Sequence, residues 1–317
     1  ATVVATASGA GAGGRRAECP VRLLEVEESS EAFQLSEEGL GYLARQRSPL
    51  YVVPMLGVYR SGKSFLLNRC MGLETPYEGG FGVGHQQDTH TRGISVCAEP
   101  REGGGTVVWM DIEGLFSSEY ARSAYGPKMF SLAMLFSSTI LLNSVKVLSD
   151  QFFSYFGEQQ QVARVLRHGL EEEGLPVGDL LPRNLSVVWV LQQPVGQNGS
   201  ADALEAQLGA FLHMQADGSR EHVRRDFGHH LQLVPSASHD VREWGSLDSR
   251  PEAELSPAFV AAGAQLRERV LGLLASARPL QAEAVAGQLR LYAQLVQTER
   301  FSAKLAREAF EESELGS

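Results

Sequence analysis

The residues from Gly57 to Asn68 read GVYRSGKSFLLN, and they follow an apolar stretch, LYVVPML, from Leu50 to Leu56. A glycine, four residues and then Gly62-Lys63-Ser64 is the spacing of a phosphate-binding loop. Glycines at Gly57 and Gly62 let backbone N–H groups approach phosphate oxygens, and Lys63 brings an ammonium to the β- and γ-phosphates. Ser64 offers a hydroxyl oxygen to Mg2+. A helix opening near Lys63 adds the positive end of its dipole. Tyr59, Arg60, Ser61 and Phe65 complete the candidate nucleotide-binding set. Arg60 is the unusual member, because it puts a second cation inside the loop itself.

A metal at such a loop needs an oxygen ligand from a second element. TVVWMDIEGLF, from Thr106 to Phe116, supplies one: an apolar run ends in Asp111 at a strand tip, where its carboxylate can hold Mg2+ through water. Gly114 follows, and a glycine there lets a backbone N–H meet a γ-phosphate. Between loop and strand lies HQQDTHTRGIS, from His85 to Ser95. A threonine before a strand in this connection is the place for a residue that closes on a bound phosphate and metal; Thr89 and Thr91 both qualify. His85 and His90 have no metal-ligand spacing and read as solvated loop residues, as do His229, His230 and His239.

These residues must be carried by alternating strands and helices. Strand candidates are Leu50–Leu56, Thr106–Asp111, Ser138–Asn143, Ser186–Leu191 and Leu231–Val234. They are continuous apolar runs, as expected for strands buried on both faces. Pro54 is a blemish in the first of them, since a central strand disfavours proline. CPVRLLEV, from Cys19, reads as an edge strand, and SEEGLGYLARQ as a short helix with Ser36 as its cap. Helical patterns run from Ser64, from about Ser118 to Phe136, from Gln151 to His168, from Ala201 to Gln215 and from Pro257 to Ala275. The alternation predicts an α/β fold with a doubly wound, mainly parallel sheet. A last helical pattern spans Leu280 to Leu315, with Val285, Leu289, Tyr292 and Val296 on one apolar face. Residues 1–18 are rich in Ala and Gly and read as a flexible linker. The expected division is therefore 1–18 linker, 19–278 a large nucleotide-binding domain, and 279–317 a helical extension.

Composition narrows the classes. The chain has 317 residues, 43% hydrophobic and 21% charged, with a formal net charge of −10. No Lys/Arg run occurs, which argues against a nucleic-acid or anionic-membrane surface. No apolar run reaches the roughly 18 residues of a membrane span. Cys19, Cys70 and Cys97 are far apart and odd in number, so the expectation is reduced thiols in a cytoplasmic setting. Asn198 opens an NGS sequon with no secretory signal read before it.

GVYRSGKSFLLN, HTRGI and DIEGL together resemble the guanylate-binding-protein and atlastin branch of the dynamin-like GTPases, and within it a RING-finger-bearing relative, over about residues 19–300. The resemblance implies a GTP-hydrolysing domain with Mg2+ as cofactor and GTP and GDP as ligands. It implies a homodimer formed face to face when nucleotide is bound, and a full-length protein associated with a membrane and leading from the helical extension into a middle domain. By the same likeness Lys63 and Ser64 match the phosphate lysine and metal serine, Thr91 rather than Thr89 the switch threonine, and Asp111 the second switch aspartate. Arg60 matches an internal arginine finger. The family reads guanine with an Arg-Asp pair at the end of a later strand. Here LSVVWVL is followed by Gln192 and Gln193, so Gln193, a carboxamide, stands where the family's aspartate would accept from guanine. Two other readings stay open: a nucleotide-gated interaction module with little turnover, and an NTPase with relaxed base specificity.

Overall fold

A computed structural model describes residues 19–26, 33–57, 61–73, 80–82, 93–112, 125–146, 185–193, 206, 208–209, 228–237 and 250–297. The strands are β1 (Val21–Val26), β2 (Phe33–Leu35), β3 (Leu50–Gly57), β4 (Ile94–Pro100), β5 (Thr106–Ile112), β6 (Thr139–Val145), β7 (Ser186–Gln192) and β8 (Gly228–Val234). The helices are α1 (Glu37–Ala44), α2 (Lys63–Cys70), α3 (Tyr125–Leu135), α4 (Pro257–Leu273) and α5 (Ala282–Gln297). The strands form one sheet in the order β2-β1-β4-β5-β3-β6-β7-β8. From β5 to β8 every neighbour is parallel, whereas β4, β1 and β2 are added antiparallel. The expected doubly wound, mainly parallel α/β sheet is therefore present.

The inner parallel strands are apolar on both sides because each side meets a helix layer, whereas β8, at the end of the sheet, carries His229, His230 and Gln232. Along β5, Val108, Met110 and Ile112 belong to one core and Val107 and Trp109 to the other. The same alternation divides β7, with Val187, Trp189 and Leu191 on one face and Val188 and Val190 on the other. Side chains alternate across a strand, so a run without polar interruptions fits only a sheet covered on both faces. The first face packs residues of α1, α3 and α5, including Leu43, Phe130 and Leu289; the second packs Leu66, Leu67, Phe259, Leu266 and Val270 of α2 and α4.

Pro54 sits within β3 and is tolerated for a local reason. Val52 points its N–H and C=O at Ser138, accepting from Ser138 N at 2.8 Å and donating to Ser138 Oγ at 3.1 Å. Pro54 is two residues on and faces the same neighbour, where the ladder with β6 begins only at Met55. The missing donor thus falls before the regular pairing starts.

The five expected parallel strands form, with ends shifted by one to three residues. The expected edge strand in CPVRLLEV is not an edge. β1 is flanked by β2, in register Leu24 with Leu35, and by β4. The three-residue β2 carries too short a pattern to be seen in the sequence. Ser36 caps α1 as expected, its Oγ accepting from Gly39 N at 3.2 Å. The expected helices over 151–168 and most of 201–215 lie outside the described residues, as do residues 1–18. Cys19 and Cys97 are joined as a disulfide, which corrects the expectation of three independent thiols. The pairing of Val21 with Val96 brings the start of β1 alongside β4, a proximity no linear spacing reveals. Cys70 is free and buried.

Helix α5 is docked on the sheet domain. Leu50 and Leu280 exchange backbone hydrogen bonds of 2.7 and 2.8 Å, and Ser48 Oγ accepts from Ala282 N at 2.9 Å. Val285, Leu289 and Tyr292, three of the four residues expected on its apolar face, are buried in the core with α1 and α3. Burial pushes the Tyr292 phenol up to about 12 from an ordinary value of 10. Between those values the unfolded chain has lost this proton and the folded chain retains it, so stability falls as pH rises through the window. Urea denaturation from pH 9.5 to 12 is expected to show this alkaline loss, and Tyr292→Phe to make it shallower.

Candidate active site

The doubly wound order sets where a ligand can sit. β5 lies on one side of β3 and β6 on the other, so the chain changes direction at β3. A crevice opens beyond the carboxyl ends of strands at such a point. The loop after β3 and the start of α2 occupy it. Gly57 ends β3 in register with Asn143 of β6. The backbones there are so close that a Cβ on Gly57 would strike the Asn143 carbonyl oxygen and lie 3.2 Å from the Asn143 Cβ. Gly62 is the N-cap of α2 with φ 73°, a left-handed conformation open to glycine at little strain.

Parity along the strands brings the polar residues together. Asp111 shares the face of Val107 and Trp109, Asn143 that of Leu141, and Gln192 that of Val188 and Val190; this is the face covered by α2. Each stands at or near the end of its strand. Ser64 Oγ, in the first turn of α2, donates to Asp111 Oδ2 at 2.7 Å. Asp111 is 1% exposed and Lys63 7%. Lys63 and Ser64 open α2, Lys63 and Asp111 are both buried, and the Ser64 hydroxyl sits on the Asp111 carboxylate. The serine and aspartate oxygens are hard donors side by side, which is the ligand chemistry of a small divalent cation such as Mg2+.

A second polar group holds the loop. Asn143 Nδ2 donates to Ser61 O at 3.0 Å and to Ser61 Oγ at 2.9 Å. Gln192 Nε2 donates to Ser61 O at 2.9 Å and to Asn143 Oδ1 at 2.8 Å. Gln192 therefore faces the loop between β3 and α2. Gln193 is half-buried, takes a left-handed φ of 49° and donates its N–H to Val234 O at 2.7 Å. The Phe65 ring stacks on Phe259 at 5.6 Å, with the Arg69 guanidinium 5.1 Å from its centroid, so this side chain joins α2 to α4.

Of the residues singled out in the sequence, Gly57, Ser61, Gly62, Lys63, Ser64, Asp111 and Gln192 gather at one end of the sheet. Tyr59, Arg60, Thr91 and Gly114 lie outside the described residues, as do Thr89, His85 and His90. Asn143 was missed. Its signal was available: an asparagine ending an apolar run, ILLN, at the tip of the neighbouring parallel strand. Among the described residues no cluster of three His, Cys, Asp or Glu is placed to hold a metal, and no helix is long and apolar enough to cross a membrane.

Residues 30–167 match the family of the guanylate-binding protein N-terminal domain. Guanylate-binding protein 1 of Mus musculus is 34% identical over 128 residues, covering 40% of this chain and 21% of the relative. Guanylate-binding protein 5 of Homo sapiens is 34% identical over 127 residues, covering 39% of this chain and 21% of that protein. The chain thus spans about a fifth of the length of these relatives. Among solved structures, Aquifex aeolicus Era bound to GDP and AlF4− aligns with 73% of this chain and 57% of that one, at 13% identity and a TM-score of 0.39, a likeness too slight to carry an argument. The family match takes in β3, α2 and β5 and ends before β7 and β8, so Gln192 and Gln193 lie beyond it.

The close approach at Gly57 has a measurable consequence. Gly57→Ala is expected to lose about 1–3 kcal/mol or more, because backbone must shift to admit the methyl. Gly272→Ala, in open space in α4, is expected to be neutral or slightly stabilising. Urea denaturation of the two variants measures the contrast.

Proposed function

We propose that this chain is the nucleotide-hydrolysing part of a dynamin-like, guanylate-binding-protein-type GTPase. The observation that carries the reading is the Ser64–Asp111 hydrogen bond of 2.7 Å beside buried Lys63, at the N-terminus of α2. A phosphate chain entering there meets the α2 dipole, the loop N–H groups and a poorly hydrated ammonium. Mg2+ fits the serine and aspartate oxygens; when bound it would neutralise charge on the phosphate oxygens. The reaction transfers the γ-phosphoryl group to water, giving GDP and phosphate, so the protein's work is positioning and charge stabilisation. Lys63 binds the phosphates, Asp111 and Ser64 orient the metal, and Thr91 closes on both. Gly114 offers a backbone N–H to the γ-phosphate.

Arg60, one residue before the braced Ser61, is read as the internal arginine finger, aligned when two nucleotide-loaded copies meet face to face. The wording DIEGLFS and the Gln192-Gln193 pair favour a likeness to neurolastin, with a RING finger and a membrane association outside this chain. Tyr59 and the backbone of Phe65 flank the phosphates. Gln193, the residue next after β7, is the candidate base contact. A neutral amide there favours guanine less than a carboxylate does, which supports relaxed base specificity as a second reading.

Phosphate release from GTP is expected to require Mg2+, and Lys63→Ala to abolish nucleotide binding in a titration with GDP; retained wild-type affinity would reject the cradle. Arg60→Ala is expected to leave GDP binding nearly intact and to lower turnover by about 10-fold or more. It should also weaken dimerisation in GDP with aluminium fluoride, as read by light scattering. Unchanged turnover would remove the finger role.

A further inference from the structure

We propose that Gln192 and Asn143 are positioning residues that fix the orientation of the phosphate loop, and that Gln192 does not read the base. The inference rests on the nucleotide-binding reading of the site and assigns one of its parts.

Ser61 O fixes which way the Gln192 amide is turned. A carbonyl oxygen can only accept, so the group of Gln192 facing it at 2.9 Å must be the amide nitrogen. The second N–H of that nitrogen goes to Asn143 Oδ1 at 2.8 Å. Both Gln192 donors are then committed, and the residue is 7% exposed. Asn143 is fully buried and commits its own amide nitrogen to Ser61 O and Ser61 Oγ. Two side chains from adjacent strands thus hold one peptide group of the loop from the sheet side.

A trans peptide points its C=O and N–H in opposite directions. Drawing Ser61 O toward β6 and β7 therefore turns the Gly62 N–H away from them, toward the open side of the loop where a phosphate enters. Gly62 makes this orientation accessible, because its left-handed φ of 73° is costly for other residues. The brace also fixes the backbone directly after Arg60. A carboxamide is the right chemistry at 192: it donates twice to two acceptors and carries no charge to compete with the ligand for Lys63.

Glutamate at 192 separates the two roles by sign. A base-reading carboxylate would accept from guanine and tighten GDP. As a brace it fails, because it would face Ser61 O and Asn143 Oδ1, both acceptors. If Asn143 turned its amide to answer it, Ser61 O would lose its other donor as well.

The experiment is a titration of wild type, Gln192→Glu and Gln192→Ala with tripolyphosphate, GDP and ADP, each with Mg2+. The brace predicts that Gln192→Glu weakens all three by a common factor of at least about threefold. The GDP-to-ADP ratio stays within about twofold of wild type, and Gln192→Ala gives the same pattern. Tighter GDP in Gln192→Glu, or weaker GDP with unchanged tripolyphosphate, overturns the proposal.

Hydrogen exchange of the nucleotide-free proteins provides a readout that needs no ligand. Amides of residues 61–66 are expected to exchange several-fold faster in Gln192→Ala and Asn143→Ala, and in the double variant by less than the product of the two. Unchanged exchange in both single variants overturns the brace. Failure of wild type to bind any of the three ligands rejects the nucleotide-binding reading instead, and leaves the exchange result to decide the brace alone.

Discussion

The peptide group at Ser61 is the point on which the polar end of this molecule depends. Two side-chain amides from β6 and β7 reach it at 2.9–3.0 Å, and the next residue caps α2. The direction in which α2 leaves the sheet is thus tied to strands that follow it by many residues in sequence. Buried hydrogen bonds of this kind contribute modestly when made and cost more when one partner is removed. They specify one loop conformation among the several that a glycine-rich segment can adopt.

That arrangement requires a sheet that stays dry on both sides. Trp109 and Trp189 lie on opposite faces of it, each essentially fully buried. The covering helices are held by polar contacts at their margins. Arg267 of α4 reaches Glu99 at 2.9 Å and the Cys70 carbonyl at 2.7 Å, joining α4 to β4 and to the end of α2. Arg69 reaches the carbonyls of Leu73 and Arg250. On the other face α5 completes the core with Val285, Leu289 and Tyr292. Its ion pair between Arg290 and Glu37, at 2.6 Å, is exposed and contributes little beside that apolar burial.

The family match takes in β6 but stops short of β7, so the two side chains that hold Ser61 fall on either side of its end. The matched segment contains the loop between β3 and α2, Asp111 and Thr91; the strands that end in Gln192 and Val234 lie outside it. The end of β7 offers two carboxamides, one turned inward to the loop and one at a left-handed strand end.

Much of this was legible in the residues. The Gly57 to Ser64 spacing, the hydrophobic run into Asp111, the serine cap of α1 and the apolar face of α5 are local patterns. Local patterns survive in one dimension because helix and strand periods are set by neighbours a few residues apart. Other features are decided by pairing between distant segments. The flanking of β1 by β2 and β4 follows from register, and so does the meeting of Cys19 with Cys97 across 78 residues. Gln192 is the clearest case. In the sequence it stands beside Gln193, the residue in place of the guanine-reading aspartate, yet strand order and parity put its side chain on the α2 face, within reach of Ser61, 131 residues away. Sequence alone names the groups able to hold a phosphate; only the stacking of β3, β6 and β7 decides which amide supports the loop, because reach is a property of the assembled sheet.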